Sequence, residues 1–345
     1  MQHKGIAFAF AVTAGLLTSS AQAATEIVFN VFTGPRHFLN DPIKAWAADI
    51  TKGTSGRVTF KFLPTNAAPP PKQIDAVVSG QFDGAFIFHG FTARRAVGPQ
   101  FGILPFLQNT PAEISSAAYW RAWNKYFGDK KEFARVGIRI LTMFQFTGGN
   151  FHSGNETPIM SIAEMKKRKM WALAGANSRV LKAAGVNHVS GPAARVNEFT
   201  QTNVVDGLAT MTNDAVRAFG AMSFVKNATV TKSKLSAASF ALFISEKKWA
   251  QISAEDQKTI LSLSGEKLAA AVGKRSDQAD KEAGEAMEKA GIKFVNDDGK
   301  FEAELRKVGA PLIANWIKAA KKKGVDGQAV IDMYLAEQKK LAGGK

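Results

Sequence analysis

The stretch Glu26-Ile27-Val28-Phe29-Asn30-Val31-Phe32, the segment 41–51 behind it and Arg57-Val58-Thr59-Phe60-Lys61-Phe62-Leu63 together decide the fold class. The first run is rich in branched and aromatic residues, and the last alternates apolar with polar positions, so both read as strands. Between them Ile43, Trp46, Ala47 and Ile50 recur at helical spacing and give one apolar face to lay on a sheet. Strand, helix, strand is the unit from which parallel α/β sheets grow.

The same grammar continues outward. Residues 72–79 read as a helix, Gly84–Phe88 as a fully apolar strand of the kind buried in a parallel sheet, 112–127 as a helix and 137–144 as a strand. A second alternating unit starts at Pro158: strand 169–173, helix 177–184 closed by Gly185, helix 193–202 and a strand from Val204. Residues 236–245 form another Phe- and Ala-rich strand. Ser253-Ala254-Glu255-Asp256 resembles a capping box and opens a helical stretch to about Ala290. At 1.5 Å per residue that helix is roughly 55 Å long, too long for one small domain and suited to crossing two. Residues 311–323 and 327–340 read as terminal amphipathic helices, with Leu312, Trp316 and Ile317 facing one core and Val330, Met333 and Tyr334 another.

The chain has 345 residues, 46% of them hydrophobic and 21% charged, which suits a globular protein of two compact units. With no Cys, disulfides, thiolate metal sites and cysteine nucleophiles are excluded. The net charge of +16 raises the question of nucleic acid, but no helix-turn-helix, finger or aromatic RNA-binding strand accompanies it. A basic surface that attracts small anions is the better reading. No nucleic-acid partner and no cofactor are expected.

Residues 1–23 read as a signal peptide. Met1 to Lys4 is short and basic, residues 5–17 are apolar, and Ala21-Gln22-Ala23 supplies the small-x-small cleavage pattern, so the mature chain is expected to begin near Ala24 in the periplasm. No later segment has 18 consecutive apolar residues.

No dinucleotide or Walker glycine loop, no HExxH and no GxSxG occurs, so the expectation is ligand capture and not catalysis. The apolar stretches 84–91 and 144–151 follow strand ends, where open α/β sheets hold small molecules. His37 and His89 lie in loops after apolar strands, where they can donate to a ligand.

Five segments, in order, carry a resemblance: Gly53-Thr54-Ser55-Gly56-Arg57-Val58 leading to Pro64; Val78-Ser79-Gly80-Gln81-Phe82-Asp83; Leu104-Pro105-Phe106; Gln201-Thr202-Asn203-Val204-Val205-Asp206-Gly207; and Lys248-Trp249-Ala250-Gln251-Ile252-Ser253-Ala254-Glu255-Asp256-Gln257. Together they resemble the DctP-type solute-binding subunits of tripartite ATP-independent periplasmic (TRAP) transporters, over nearly all of the mature chain. The resemblance implies a type II periplasmic-binding-protein-like α/β fold, with two lobes joined by crossing strands and a long helix, closing on a small organic acid or other small anion. It further implies discontinuous lobes, 24–147 plus 236–278 and 148–235 plus 279–345, and integral membrane TRAP subunits as partners. A ligand-sensing subunit for a receptor kinase and an exported α/β hydrolase are the alternatives.

Members of that family usually hold the ligand carboxylate with an Arg in a run resembling Lys-Ile-Arg-Val-Pro. Here the lead-in Pro158-Ile159-Met160-Ser161-Ile162-Ala163-Glu164-Met165-Lys166-Lys167-Arg168 matches, but the run reads Lys169-Met170-Trp171-Ala172-Leu173, which puts an indole at the Arg position. Arg195 stands where the family favours Glu, and Leu208-Ala209-Thr210-Met211 where it favours Gln-Glu-Asn-Pro. Three explanations stay open: another Arg among Arg36, Arg94, Arg95 and Arg195 supplies the charge; the ligand lacks a carboxylate or stacks a ring on Trp171, Phe88 or Phe144; or Arg168 carries the role in a shifted register. The expected ligand-binding residues are Trp171, Thr210, Asn213 and Arg195 from the second lobe, Phe88, His89 and Arg36 from the first, and Phe144 and Gln145 near the hinge.

Overall fold

The computed structural model describes residues 24–344; the expected leader lies outside the described residues. Two α/β lobes form, each around its own sheet. In the first sheet, β2 (Val58–Phe62), β1 (Thr25–Asn30), β3 (Gly84–Phe88), β10 (Ser239–Ser245) and β4 (Ile138–Gln145) lie side by side. β1 runs parallel to β2 and β3, whereas β10 is antiparallel to β3 and β4. The second sheet runs β11 (Lys293–Asn296), β9 (Asn227–Val230), β5 (Asn150–Ser153), β8 (Gly207–Met211), β6 (Met170–Ala172), β7 (His188–Ser190), with β5 antiparallel to both neighbours.

Local sequence accounts for these elements. β3 is buried at every residue, as a strand covered on both faces must be. α1 (Asn40–Gly53) buries Ile43, Trp46, Ala47 and Ile50 on the first sheet. α2 (Gln73–Val78) and α3 (Ala112–Phe127) complete the helices of this half, and α3 is capped by a carboxylate from a distant helix, described below. The middle of the chain supplies α4 (Ile162–Lys166), α5 (Ala176–Ala183), α6 (Val196–Gln201) and α7 (Asn213–Ala218), and α8 (Glu246–Trp249) follows β10. Residues 146–149 and 231–238 cross between the lobes, and the Phe146 amide donates to the Ala238 carbonyl at 2.9 Å, tying the crossings together.

The single long helix expected from Ser253 is two helices, α9 (Ala254–Leu263) and α10 (Gly265–Lys289). Ser264 is extended, and Gly265 has φ +57°, a left-handed conformation that glycine adopts without a Cβ penalty. Tertiary bonds fix the break: Trp46 Nε1 donates to Ser264 Oγ (3.1 Å), and Thr142 Oγ1 donates to the Gly265 carbonyl (2.6 Å). Ser and Gly interrupt no apolar period, so the pattern alone reads straight through them.

α10 still spans both lobes. Leu268, Ala269 and Val272 pack in the core of the first and Met287 in that of the second. Asp277 accepts from the amides of Ala112 (2.8 Å) and Glu113 (3.0 Å) at the start of α3. One turn further on, Asp280 accepts from Asn213 Nδ2 (3.2 Å) and the Asp214 amide (3.2 Å) at the start of α7. Each carboxylate satisfies donors that a helix start leaves unpaired and sits at its positive end.

The C-terminal region departs from expectation. α11 (Lys300–Lys321) begins well before Pro311, which lies inside it. Phe301 and Leu305 pack with Phe151 and Val180 in the second lobe, whereas Trp316 and Ala320 join the first-lobe core. α12 (Gly327–Gly343) packs on α3, where Tyr334 hydroxyl donates to Gln145 Oε1 (2.6 Å) and Gln338 Nε2 to the Leu107 carbonyl (2.9 Å). Trp316, Val330 and Tyr334 therefore share one core instead of facing two, and the last helix lies on the first lobe, not with the second-lobe segment to which 279–345 was assigned. The apolar face of α12 is covered by α3 and by the end of α11 that carries Trp316 and Ala320.

Candidate functional site

A cavity of about 700 Å³ of empty space, mouth included, lies between the lobes. It sits beyond the carboxyl ends of β1, β3, β6, β7 and β8, the position at which open α/β sheets bind ligands. Phe32, Thr33 and His37 come from the loop after β1, Phe88 and Phe91 from the end of β3, Phe146 and Thr147 from the first crossing, and Phe240 from β10. Opposite stand Trp171 and Leu173 at the end of β6, residues 192–194 after β7, Thr210 to Thr212 at the end of β8, and Phe219 after α7.

The walls are aromatic. Phe240 has Phe146 at 4.3 Å and Phe88 at 5.5 Å between ring centroids, and Phe91 meets Phe88 edge-on at 5.2 Å. The His37 ring stacks on Phe219 of the opposite lobe at 5.6 Å. Such a surface grips a planar apolar body by offset and edge-to-face contact.

Polar groups are few. Trp171 Nε1 and Thr33 Oγ1 are buried without hydrogen-bond partners among the described residues. His37 Nδ1 accepts from the Leu39 amide (3.3 Å), which leaves the proton on Nε2, 4.0 Å from Asp214 Oδ2. Burial lowers the His37 pKa to about 3, so the ring is neutral. Burial also raises the Asp214 pKa, against the lowering influence of Arg217. Thr210 has φ +58°, rare for a branched residue, and its hydroxyl donates to the Ala209 carbonyl (2.7 Å). Opposite it, a β-carbon on Gly149 would lie 2.2 Å from the Thr210 carbonyl oxygen, so only glycine admits this bend. The β5 and β8 registers shift at the same place.

Of the residues expected in the site, the cavity brings together Trp171, Thr210 and Phe88. The other six lie elsewhere. His89 follows Phe88 but points into the first-lobe core, where Nδ1 meets Ser239 Oγ at 2.9 Å. Phe144 is buried behind Phe240, stacked at 5.6 Å. Gln145 is engaged with the Gly102 carbonyl (2.7 Å) and Tyr334. Asn213 accepts from Asn150 and donates to Asp280. Arg36 is exposed, and Arg195 is exposed and paired with Glu198. Arg168, the alternative in a shifted register, is buried and donates to Ser153 Oγ (3.0 Å) and the Thr157 carbonyl (2.8 Å), away from the cavity. Phe32, Thr33, Phe91, Phe146, Phe219 and Phe240 line the site but are missing from the expected set, as is His37, which the sequence marks only as a loop histidine able to donate. Position just beyond a strand end singles out His37 and Phe146, but nothing in the sequence separates Phe219 or Phe240 from core.

Two α/β lobes with one aromatic-lined crevice between them have the architecture of a solute-binding receptor. The chain belongs to the DctP family of bacterial extracellular solute-binding proteins, family 7, whose sequence profile matches residues 29–319. Outer membrane transporter protein TsaT of Comamonas testosteroni is 33% identical over 321 residues, covering 93% of this chain and 94% of that one. A TRAP periplasmic solute-binding protein of Bordetella bronchiseptica, solved with bound (R)- and (S)-mandelate, superposes with TM-score 0.85 at 29% identity, over 92% of this chain and 99% of its own. A TRAP solute-binding protein of Rhodoferax ferrireducens T118, solved with copurified benzoate, shares the fold at 19% identity and TM-score 0.83, over 92% of this chain and 98% of its own. The protein is thus a TRAP-type solute-binding protein of an extracytoplasmic family.

Proposed function

We propose that this receptor captures a small aromatic acid between its lobes and presents the closed form to integral membrane TRAP subunits, without transforming the ligand. The aromatic enclosure formed by Phe88, Phe146, Phe219, Phe240 and Trp171 carries the reading. The mandelate-bound relative, at 29% identity over most of both chains, supports it. On this reading residues 1–23 are removed on export to the periplasm. The first lobe is 24–147 plus 236–278, with the C-terminal helix resting on it, and the second is built from 148–235 plus the segment after 278. Trp171, Phe88 and Thr210 contact the ligand together with His37, Phe146 and Phe219.

Closure requires that the ligand touch both lobes, because only differential affinity shifts an open–closed equilibrium. The cavity meets this condition, with aromatic rings contributed from each side. The test is thermal denaturation of the mature chain with mandelate, benzoate, 3-hydroxybenzoate, succinate and malate. A binder present at 100 times its Kd stabilises by about 2.7 kcal/mol. Stabilisation by the aromatic acids alone is expected; stabilisation by the aliphatic acids alone refutes the reading.

A further inference from the structure

A site built for an anion ordinarily supplies a fixed counter-charge, because an ionised carboxylate brought unpaired into apolar surroundings is strongly disfavoured. This cavity supplies none: among the described residues that line it there is neither Lys nor Arg. The arginines available from the sequence are committed or remote. Arg95 pairs with Asp75, Arg195 with Glu198, Arg168 with Ser153 and Thr157, and Arg36 and Arg94 are exposed away from the lining. The carboxylate closest to the lining His37 is that of Asp214, whose Oδ2 is buried without a hydrogen-bond partner. Its other oxygen pairs with Arg217 at 3.4 Å, which commits that arginine as well.

What the cavity does offer is neutral. Trp171 Nε1–H, at the position where the resembling family carries an Arg, is buried with no partner, as is the Thr33 hydroxyl across the cleft. His37 Nε2–H, its tautomer fixed by the Leu39 amide, lies 4.0 Å from Asp214 Oδ2, beyond hydrogen-bond range. A buried donor left unpaired carries its full desolvation cost, which a ligand oxygen removes.

We infer that this site reads its ligand through the aromatic ring and through the neutral donors of Trp171 and Thr33, not through the ligand's charge. An uncharged aromatic of the same shape, with a carboxamide in place of the carboxylate, is therefore accepted about as well as the acid. The inference rests on the aromatic reading above and specifies how its polar end is recognised.

Calorimetric titration of the mature chain with the pairs benzoate and benzamide, and mandelate and mandelamide, at 50 and 500 mM salt tests it. Affinities within tenfold for acid and amide, and less than a threefold change with salt, are expected. An amide that binds more than tenfold more weakly than its acid overturns the inference and leaves the aromatic reading standing. Binding of none of the four, while an aliphatic acid binds, overturns both. Trp171→Phe keeps a ring and removes the N–H, and is expected to weaken acid and amide alike by at least fivefold. Should that variant unfold, Thr33→Val, which removes the opposite donor, is expected to weaken both members of a pair in the same proportion.

Discussion

Gly90 and Gly175 meet across the cleft with no room for a side chain between them. A β-carbon on Gly175 would lie 3.0 Å from the α-carbon of Gly90, and one on Gly90 would lie 2.6 Å from the Ala174 carbonyl oxygen. One glycine follows β3 in the first lobe and the other follows β6 in the second, so the two lobes touch backbone to backbone there. Gly175 also has φ +91°, where an L side chain is strained. Gly175→Ala is expected to lose at least tenfold in affinity for an aromatic acid, with solution scattering that stays extended when ligand is added. Full compaction and unchanged affinity would show that the lobes close without this backbone contact.

Trp171 is fully buried at the cavity wall. Truncating it removes both an aromatic face and an N–H donor, so Trp171→Ala is expected to weaken aromatic-acid binding at least tenfold. Calorimetry gives the answer directly, and an affinity within a factor of two of the parent removes Trp171 from the site.

Gly273 lies where α10 crosses the start of α3, and a β-carbon there would sit 2.1 Å from the Ala112 carbonyl oxygen. Helix propensity alone predicts that Gly273→Ala stabilises by about 1 kcal/mol. Backbone contact predicts the reverse, because the two elements must separate. A loss of at least about 2 kcal/mol in urea unfolding is expected; a gain would mean that α10 adjusts freely.

Acid should destabilise the protein. Burial lowers the pKa of His37 and His89 to about 3 and that of His152 to about 4. The unfolded chain takes up these protons near pH 6.5, whereas the folded chain refuses them until pH 3–4. Stability is therefore intact above about pH 6.5 and falls below it, by up to about 1.4 kcal/mol per pH unit for each histidine. Asp280 opposes this: burial raises its pKa to about 6, so the folded chain holds that proton first and gains between about pH 6 and 4. Asp214, also raised by burial, acts in the same direction as Asp280; three histidines outweigh the two carboxyls, and unfolding midpoints are expected to fall from pH 7.5 to 5. His89→Gln should flatten the slope; a parent profile that rises toward pH 5 contradicts the assignment.

Much of the scaffold was legible because it is local. α1 and α3 follow from apolar spacing, and β3 from an unbroken apolar run. The break at Ser264 was not, since it is held by Trp46 and Thr142 from distant segments. The same limit applies to Pro311, whose place inside α11 depends on packing at both ends of that helix. In the site, Trp171 stood out because a motif made an Arg the expected residue there. His89 was placed wrongly by a single position: Phe88 faces the cavity, and the next side chain turns into the core. Phe219 and Phe240 could not be singled out, because a cavity lined with Phe differs from a packed core only by the space left between the rings.

Asp277 and Asp280 hold the two halves of the molecule from a single rod, three residues apart. The spacing of the grips is thereby set by helical pitch and not by any loop. One residue inserted between them would turn the second carboxylate about 100° around the axis. It would release α7 while α3 stayed fastened, and it would turn Met287 out of the second-lobe core by the same angle, so the jaws and the packing between them would come apart together.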